Sequence, residues 1–358
     1  MRIAYLAHWN EGPDSGVFKK ICQQTRAWRM AGADVRLYIL SSGTSRSQWA
    51  NWAGVDVEHE SYNNLFERWT RVRALTKSIT EWGPDVLYYR WDPVHPSVLR
   101  LARLIPTVCE INTDDVAEAK LAGRIRLVHN TLLRGKMLSN SRAVVSVSRQ
   151  LAEGAHLSRH CSRIAVIGNS IELASFPLLR PAESKSINVA FLGYAAQPWS
   201  GVDKVHEMAS LLPEWVFHLI GVEPDEVAAL PNIKCYGRQE RAQYEPILAK
   251  CQIALGTLAL HRKSMDETSA LKTREYLAYG LPTINSHEDT DFPNGASFLL
   301  QLPNEEGNIS PFIREIRDFG DAWRHRRVLR ADIAHLDTTK KEAERLAFLG
   351  GLVEVAKK

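Results

Sequence analysis

The strongest constraint on this chain is a strand-and-helix alternation that starts twice. Arg2 to His8 reads as a buried strand, Asn10 to Gly16 as a loop, Val17 to Met30 as a helix and Asp34 to Leu40 as a second strand. Together these make a βαβ unit. Further strands are expected at Asp85 to Tyr89, Pro106 to Ile111, Ala143 to Val147 and Ile164 to Ile167, with helical stretches between them. The first half therefore reads as a doubly wound parallel sheet. The alternation then begins again, with strands at Asn188 to Gly193, Trp215 to Gly221, Ile233 to Tyr236, Gln252 to Gly256 and Thr283 to Asn285, and helices at Val202 to Leu212 and Arg241 to Cys251. Gly168 to Glu172 and the polar stretch Leu179 to Ile187 separate the halves and have linker chemistry. Beyond Glu305, helices are expected at Asn308 to Phe319, Ala322 to Ile333 and Thr339 to Val355. A length of 358 residues exceeds what one hydrophobic core sustains, so two domains follow from size as well.

Composition removes several functions. The 45 Lys plus Arg against 41 Asp plus Glu leave a formal charge of +4, too small a surplus to argue for nucleic acid. No run of apolar residues is long enough to span a bilayer, and Met1 to His8 is too short for a signal peptide, so the expected location is cytoplasmic. The five cysteines are odd in number and scattered without a Cys-x-x-Cys, which suits reduced, buried thiols. His156 and His160, beside Cys161, have a spacing a metal can use, but a second ligand pair is missing and no metal is expected. A dinucleotide site is also unexpected: Gly-x-Gly-x-x-Gly is absent, and the second strand ends at Ser41 without an acid for a ribose.

One segment carries chemistry. Glu267-Thr-Ser-Ala-Leu-Lys272-Thr-Arg-Glu275-Tyr-Leu-Ala-Tyr-Gly280-Leu-Pro282 reads as a loop entering a helix, with Thr268 and Ser269 as N-cap types and Gly280 and Pro282 as a stop signal. The first turn of such a helix offers unpaired amides at Thr268 to Ala270 and the positive end of a dipole, beside Lys272, which suits a phosphate. Carboxylates at Glu267 and Glu275 suit sugar hydroxyls. The same pattern also fits an amphipathic helix with Leu271, Tyr276 and Leu277 in a core and both glutamates solvated.

This segment resembles the Glu-x7-Glu region of the retaining glycosyltransferase group 1 (GT4-like) family, in its Lys-x-x-Glu-Tyr-Leu-Ala-x-Gly-x-Pro form. The resemblance implies an α/β chain of GT-B architecture, two Rossmann-like doubly wound domains facing across a crevice. Its parts would be an acceptor domain over 1–168, a nucleotide-sugar donor domain over 169–335, and a C-terminal helix over 336–358 packing back toward the first domain. It implies a metal-independent hexosyltransferase that needs no cofactor. A sugar would pass with retention from a nucleotide-diphosphate sugar to a glycan or lipid-linked acceptor. Glu267 would then contact the transferred sugar, Glu275 would hold the ribose, and helix amides with Lys272 would take the leaving-group charge.

Other positions depart from the family pattern. The Gly-Arg…Lys-Gly phosphate clamp has no arginine here: Gly193 is kept, and Lys204 falls inside the following helix, where a solvated side chain is expected. Arg238, after Gly237 at a strand end, is a second candidate for the diphosphate, and His261-Arg262-Lys263 either reach phosphates or are solvated. Relatives often have a histidine where this chain has Glu110 and Asn112, so Glu110 is either a catalytic group or a strand-end hydrogen bond. In the Gly12 to Gly16 turn, Ser15 and Gly16 either border substrate or only turn the chain. Asp289-Thr-Asp291 matches a three-residue metal motif of another glycosyltransferase fold, a match that arises often by chance. Residues 120–142, with Lys120, Arg124, Arg126, Arg134, Lys136 and Arg142 and no acid, are either a peripheral membrane contact on the inner face or an ordinary solvated helix face. Two rivals share the fold: a sugar-nucleotide hydrolase or epimerase, and a catalytically weak binding subunit of a transferase complex.

Overall fold

The computed structural model describes residues 1–10, 15–43, 54–121 and 123–357. The chain divides into two compact units, Met1–Glu172 with Thr338–Lys358, and Leu173–Asp337. In the first unit the strands are β1 (Arg2–His8), β2 (Asp34–Ser42), β3 (Asp56–Tyr62), β4 (Val86–Arg90), β5 (Thr107–Ile111), β6 (Ala143–Ser146) and β7 (Ile164–Val166). They form one parallel sheet in the order β3-β2-β1-β4-β5-β6-β7. Helices cover both faces, so the central strands are continuous apolar runs. The period of two splits β1: Ile3 and Tyr5 pack with Phe18, Ile21 and Trp28 of the helix Gly16–Met30 and with Leu349 and Leu352 of the helix Thr338–Lys357. Ala4 and Leu6 pack on the opposite face, with Val72 and Leu75 of the helix Leu65–Trp82 and Met137 and Leu138 of the helix Arg124–Asn140.

The second unit repeats the plan. Its strands β8 (Asn188–Leu192), β9 (Val216–Ile220), β10 (Ile233–Cys235), β11 (Ile253–Leu255), β13 (Thr283–Asn285) and β15 (Leu299–Gln301) lie parallel in the order β10-β9-β8-β11-β13-β15. A separate two-stranded pair joins β12 (Glu267–Thr268) to β14 (Glu288–Asp289). In both units the strand order reverses beside the first strand, which is where open α/β sheets place their ligands.

Some elements differ from expectation. β3 and β15 were not expected, and both lie at sheet edges. The helix expected over Ala322 to Ile333 is absent: the helix Ile313–Trp323 ends, and the chain turns so that Arg327 can donate to the carbonyls of Arg180, Cys251 and Gln252. The five cysteines are unpaired, and all but Cys235 are buried.

Candidate functional site

In the second unit, β8 runs straight into Gly193, whose amide donates to Ile220 at 3.0 Å. A side chain there would collide with the Phe191 ring at 2.6 Å and reach Lys272 Nζ at 3.4 Å, so only glycine leaves the strand end open to the lysine. Lys272 is the second residue of the helix Leu271–Tyr279. Its Nζ stands 4.8 Å from the centre of the Phe191 ring, is sealed from solvent, and has no hydrogen-bond partner among the described residues. Burial alone drives its pKa down to about 7. A buried, unpaired ammonium is costly and is stabilised by a bound anion.

The helix start differs from the expectation. Ala270, not Thr268 or Ser269, is the N-cap, and no side chain caps the first-turn amides. Glu267 and Thr268 are extended in β12 instead, which places the buried Glu267 just ahead of those amides. The Ser269 hydroxyl donates to Asp291 at 3.2 Å and accepts from Arg274 at 2.8 Å. Arg274 is fully buried and forks onto Asp289 at 2.6 and 2.7 Å and Asp291 at 2.6 Å. The Asp-x-Asp pair is thus committed to a guanidinium that fastens Asp289 of β14 and the following Asp291 to the helix. Glu275, one turn on, is held by the Tyr244 hydroxyl at 2.5 Å, and burial followed by the Glu275 charge pushes the phenol's pKa upward.

Lys204, His261, Arg262 and Lys263 are engaged elsewhere. Lys204 is buried rather than solvated: its ammonium donates to the carbonyls of Glu305, at 3.1 Å, and Glu306. Arg262 is bound by Asp203 and Glu306, His261 reaches Glu306, and Lys263 lies 4.1 Å over the Trp199 ring. Arg238 is exposed after β10, and among the described residues no contact links it to the Leu271–Tyr279 helix.

In the first unit, Glu110 is buried at the end of β5, where it accepts from Lys20 at 3.0 Å, Arg90 at 3.0 Å and Tyr5 at 3.0 Å. Burial raises its pKa, but Lys20, Arg90 and Arg345 outweigh that and hold it well below the carboxylate range. Both oxygens of Glu110 are thus paired, one with Lys20 and the other with Arg90 and Tyr5. Lys20, whose pKa burial lowers to about 8, also donates to Asn112 at 3.0 Å. Ser15 caps the helix Gly16–Met30, accepting from Phe18 and from the Trp9 indole, and Gly16 opens that helix. Gly12, Pro13 and Asp14 lie outside the described residues.

The basic stretch is less one-sided than its sequence. Arg134 turns inward onto Asp115 at 2.7 and 2.9 Å, while Val128 and Leu132 are exposed. The side chains of Lys120, Leu121, Ile125 and Arg126 lie outside the described ones. No described helix is long and apolar enough to cross a membrane.

Residues 15–170 match the family described as glycosyl transferase 4-like domain, which covers less than half of the chain. No curated protein matches in sequence. Among solved structures, the chain is similar to the lipopolysaccharide outer core galactosyltransferase WaaB, with a TM-score of 0.68 and 13% identity, covering 98% of this chain and 99% of that one. It is also similar to Anabaena HepE in complex with UDP-glucose, with a TM-score of 0.68 and 15% identity over 98% and 100%. A UDP-GlcNAc 2-epimerase from Neisseria meningitidis aligns with a TM-score of 0.58 and 13% identity over 98% and 99%. At such identities the likeness establishes fold and not reaction. The fold is GT-B, built from two Rossmann-like doubly wound units.

Proposed function

We propose that this chain is a retaining glycosyltransferase that moves a hexose from a nucleotide-diphosphate sugar to an acceptor hydroxyl. The observation that carries the reading is the Lys272 ammonium, sealed from solvent near Gly193 with no hydrogen-bond partner among the described residues, at the start of a helix whose first turn is uncapped, with Glu267 just ahead of that helix and Glu275 within it. As the bond to the sugar breaks, negative charge grows on the diphosphate, and preorganised amides with an ammonium stabilise it where water is excluded. Divalent metal is not required by this scheme. Glu267 orients the sugar hydroxyls, and Glu275, held by Tyr244, takes the ribose. The similarity to HepE supports UDP-glucose as the first donor to try. Arg238, after Gly237, remains a secondary phosphate ligand in this proposal.

Glu275→Ala is expected to lower donor turnover by at least about a hundredfold in purified protein, because positioning terms of this kind carry several kcal/mol. Near-native turnover would overturn the assignment. Retention is read from the anomeric signal of the first product by NMR, and metal independence from full rate in chelator. The proposed acceptor is glycan or lipid-linked, on the cytoplasmic face, with the 120–142 stretch as a peripheral contact; failure of anionic liposomes to retain the protein at low salt would remove that contact. The epimerase among the similar structures makes an acceptor-free reaction the second reading. Full-rate release of free sugar or of an epimer without acceptor would favour it.

A further inference from the structure

Thr268 and Ser269 are good N-cap types, yet neither caps the helix Leu271–Tyr279 that follows them. The amides of Leu271 and Lys272 meet no side-chain cap, and the Arg274 amide closes the first turn on the Ala270 carbonyl at 3.2 Å. Lys272 Nζ, on the same turn, is also without a partner among the described residues. One residue ahead of the cap position, the Ser269 hydroxyl is chemically able to satisfy those amides, but it is held elsewhere.

Its bonds have a fixed direction. A guanidinium only donates, so Ser269 Oγ receives from Arg274 Nη2 at 2.8 Å. The same nitrogen donates to Asp291 Oδ2 at 2.6 Å, so that oxygen is an acceptor, and the Ser269 proton points to it at 3.2 Å. Burial by itself lowers the Arg274 pKa, but Asp289 and Asp291 outweigh it and raise it, so the guanidinium stays charged. Backbone bonds complete the hold. The Glu288 amide donates to the Asp266 carbonyl at 2.9 Å and the Thr290 amide to the Thr268 carbonyl at 3.3 Å, so the chain is still extended when it reaches Ser269. Ala270 follows with ψ at 127, also extended. Rotating that ψ into the helical range would make Ser269 the N-cap and bring its hydroxyl onto the amides of Leu271 and Lys272. That rotation requires the bonds to Arg274 and Asp291 to break.

We propose that Arg274, Asp289 and Asp291 form a strap that keeps Ser269 from capping its own helix, and so keeps the first-turn amides open to a diphosphate; the inference rests on the donor reading above. The three are positioning residues, acting through Ser269 rather than on the nucleotide. The helix start has two exclusive occupants, an internal hydroxyl and an external phosphate, and the strap selects the second.

Amide hydrogen exchange on the full chain gives the first test. Without ligand, the Leu271 and Lys272 amides are expected to exchange fast compared with the helix beyond Glu275, and to slow when UDP is added. Arg274→Met with Asp291→Ala removes both partners of the Ser269 hydroxyl as an opposite pair, which leaves the charge of the cluster unchanged. In that variant the two amides are expected to be protected without ligand, and the Kd for UDP to rise about fivefold, the worth of one cap. Adding Ser269→Ala is expected to reverse both effects, because alanine has no hydroxyl to cap with. A role in stability alone gives no such reversal, since the third substitution restores no contact of the strap. Native amides protected without ligand, an unchanged UDP affinity in the double variant, or a loss that Ser269→Ala does not reverse overturns the strap. The native exchange pattern needs no substitution, so it judges the strap even if the double variant fails to fold. A native chain with no thermal shift in UDP overturns the donor reading, while exchange at the two amides, with and without Ser269→Ala, still judges the strap.

Discussion

At the residue scale, Lys272 decides most. Its ammonium is desolvated with no opposite charge to compensate, so the neutral form is favoured and the pKa falls to about 7. A diphosphate beside it reverses that balance and raises the pKa, so donor binding takes up a proton once pH exceeds the free-protein value. Affinity for UDP is therefore expected to be full below pH of about 7 and to weaken by about tenfold per unit above it, until the bound-state pKa is reached. Calorimetry in buffers of different ionisation enthalpy measures both the slope and the proton uptake. A pH-independent Kd between about 7 and 9 would remove Lys272 from the phosphate site. The same pKa is a stability statement. Between about 7 and the ordinary lysine value the unfolded chain binds the extra proton, so stability rises with pH across that window and the buried charge costs most below it. Lys272→Met is thus expected to raise the melting temperature by a few degrees while abolishing the UDP thermal shift, a trade characteristic of binding sites.

At the scale of the element, the Leu271–Tyr279 helix shows what was legible in sequence and what was not. Its place and its stop at Gly280 follow from local chemistry, since Gly280 sits at φ 83, where other residues are strained. The identity of its cap does not, because the β12–β14 pairing pulls Glu267 and Thr268 into extended backbone, and that partner lies at Glu288 and Asp289. Arg274 was invisible for the same reason: only the fold brings Asp289 and Asp291 to it. Lys204 reads as solvated, yet its stem crosses the core to carbonyls near residue 305. The Asp56–Tyr62 strand lies at the sheet edge and is polar at most of its positions, so its pattern resembles a loop. By contrast the central strands were legible because burial on both faces leaves them uninterrupted apolar runs. One prediction belongs at this scale. Arg274→Met leaves Asp289 and Asp291 as buried charges facing each other, and breaking such a pair typically costs about 3–5 kcal/mol. Urea denaturation is expected to show that loss in the second unit's transition, and Asp289→Asn with Asp291→Asn added to Arg274→Met should recover part of it. A loss under about 1 kcal/mol would mean that the loop does not depend on the guanidinium.

At the scale of the whole molecule, the chain leaves the first unit at Glu172 and returns to it at Thr338, so the second unit is one continuous segment and the first is not. The returning helix is structural core. Glu342 and Arg345 are each 1% exposed and paired, Glu342 accepts from the Trp28 indole at 2.9 Å, and Leu349, Leu352 and Val353 complete the cluster on that face of the sheet. Removing residues 338–358 exposes Trp28 and deletes three apolar side chains worth about 1.5–3 kcal/mol each. That sum rivals the whole stability of an ordinary domain. A chain ending at Asp337 is therefore expected to lose the cooperative transition of the first unit. The second unit keeps its own sheet, its Arg274 network and Lys272, so the segment 173–337 alone is expected to stay folded and to retain a UDP thermal shift that Lys272→Met abolishes. Limited proteolysis separates the outcomes: cleavage confined to residues before 173, with a surviving fragment of the second unit, is the expected pattern. Equal resistance of both units after truncation would show that the helix is an accessory to the first sheet, and loss of UDP binding by a folded 173–337 segment would show that the donor site needs more than the second unit supplies.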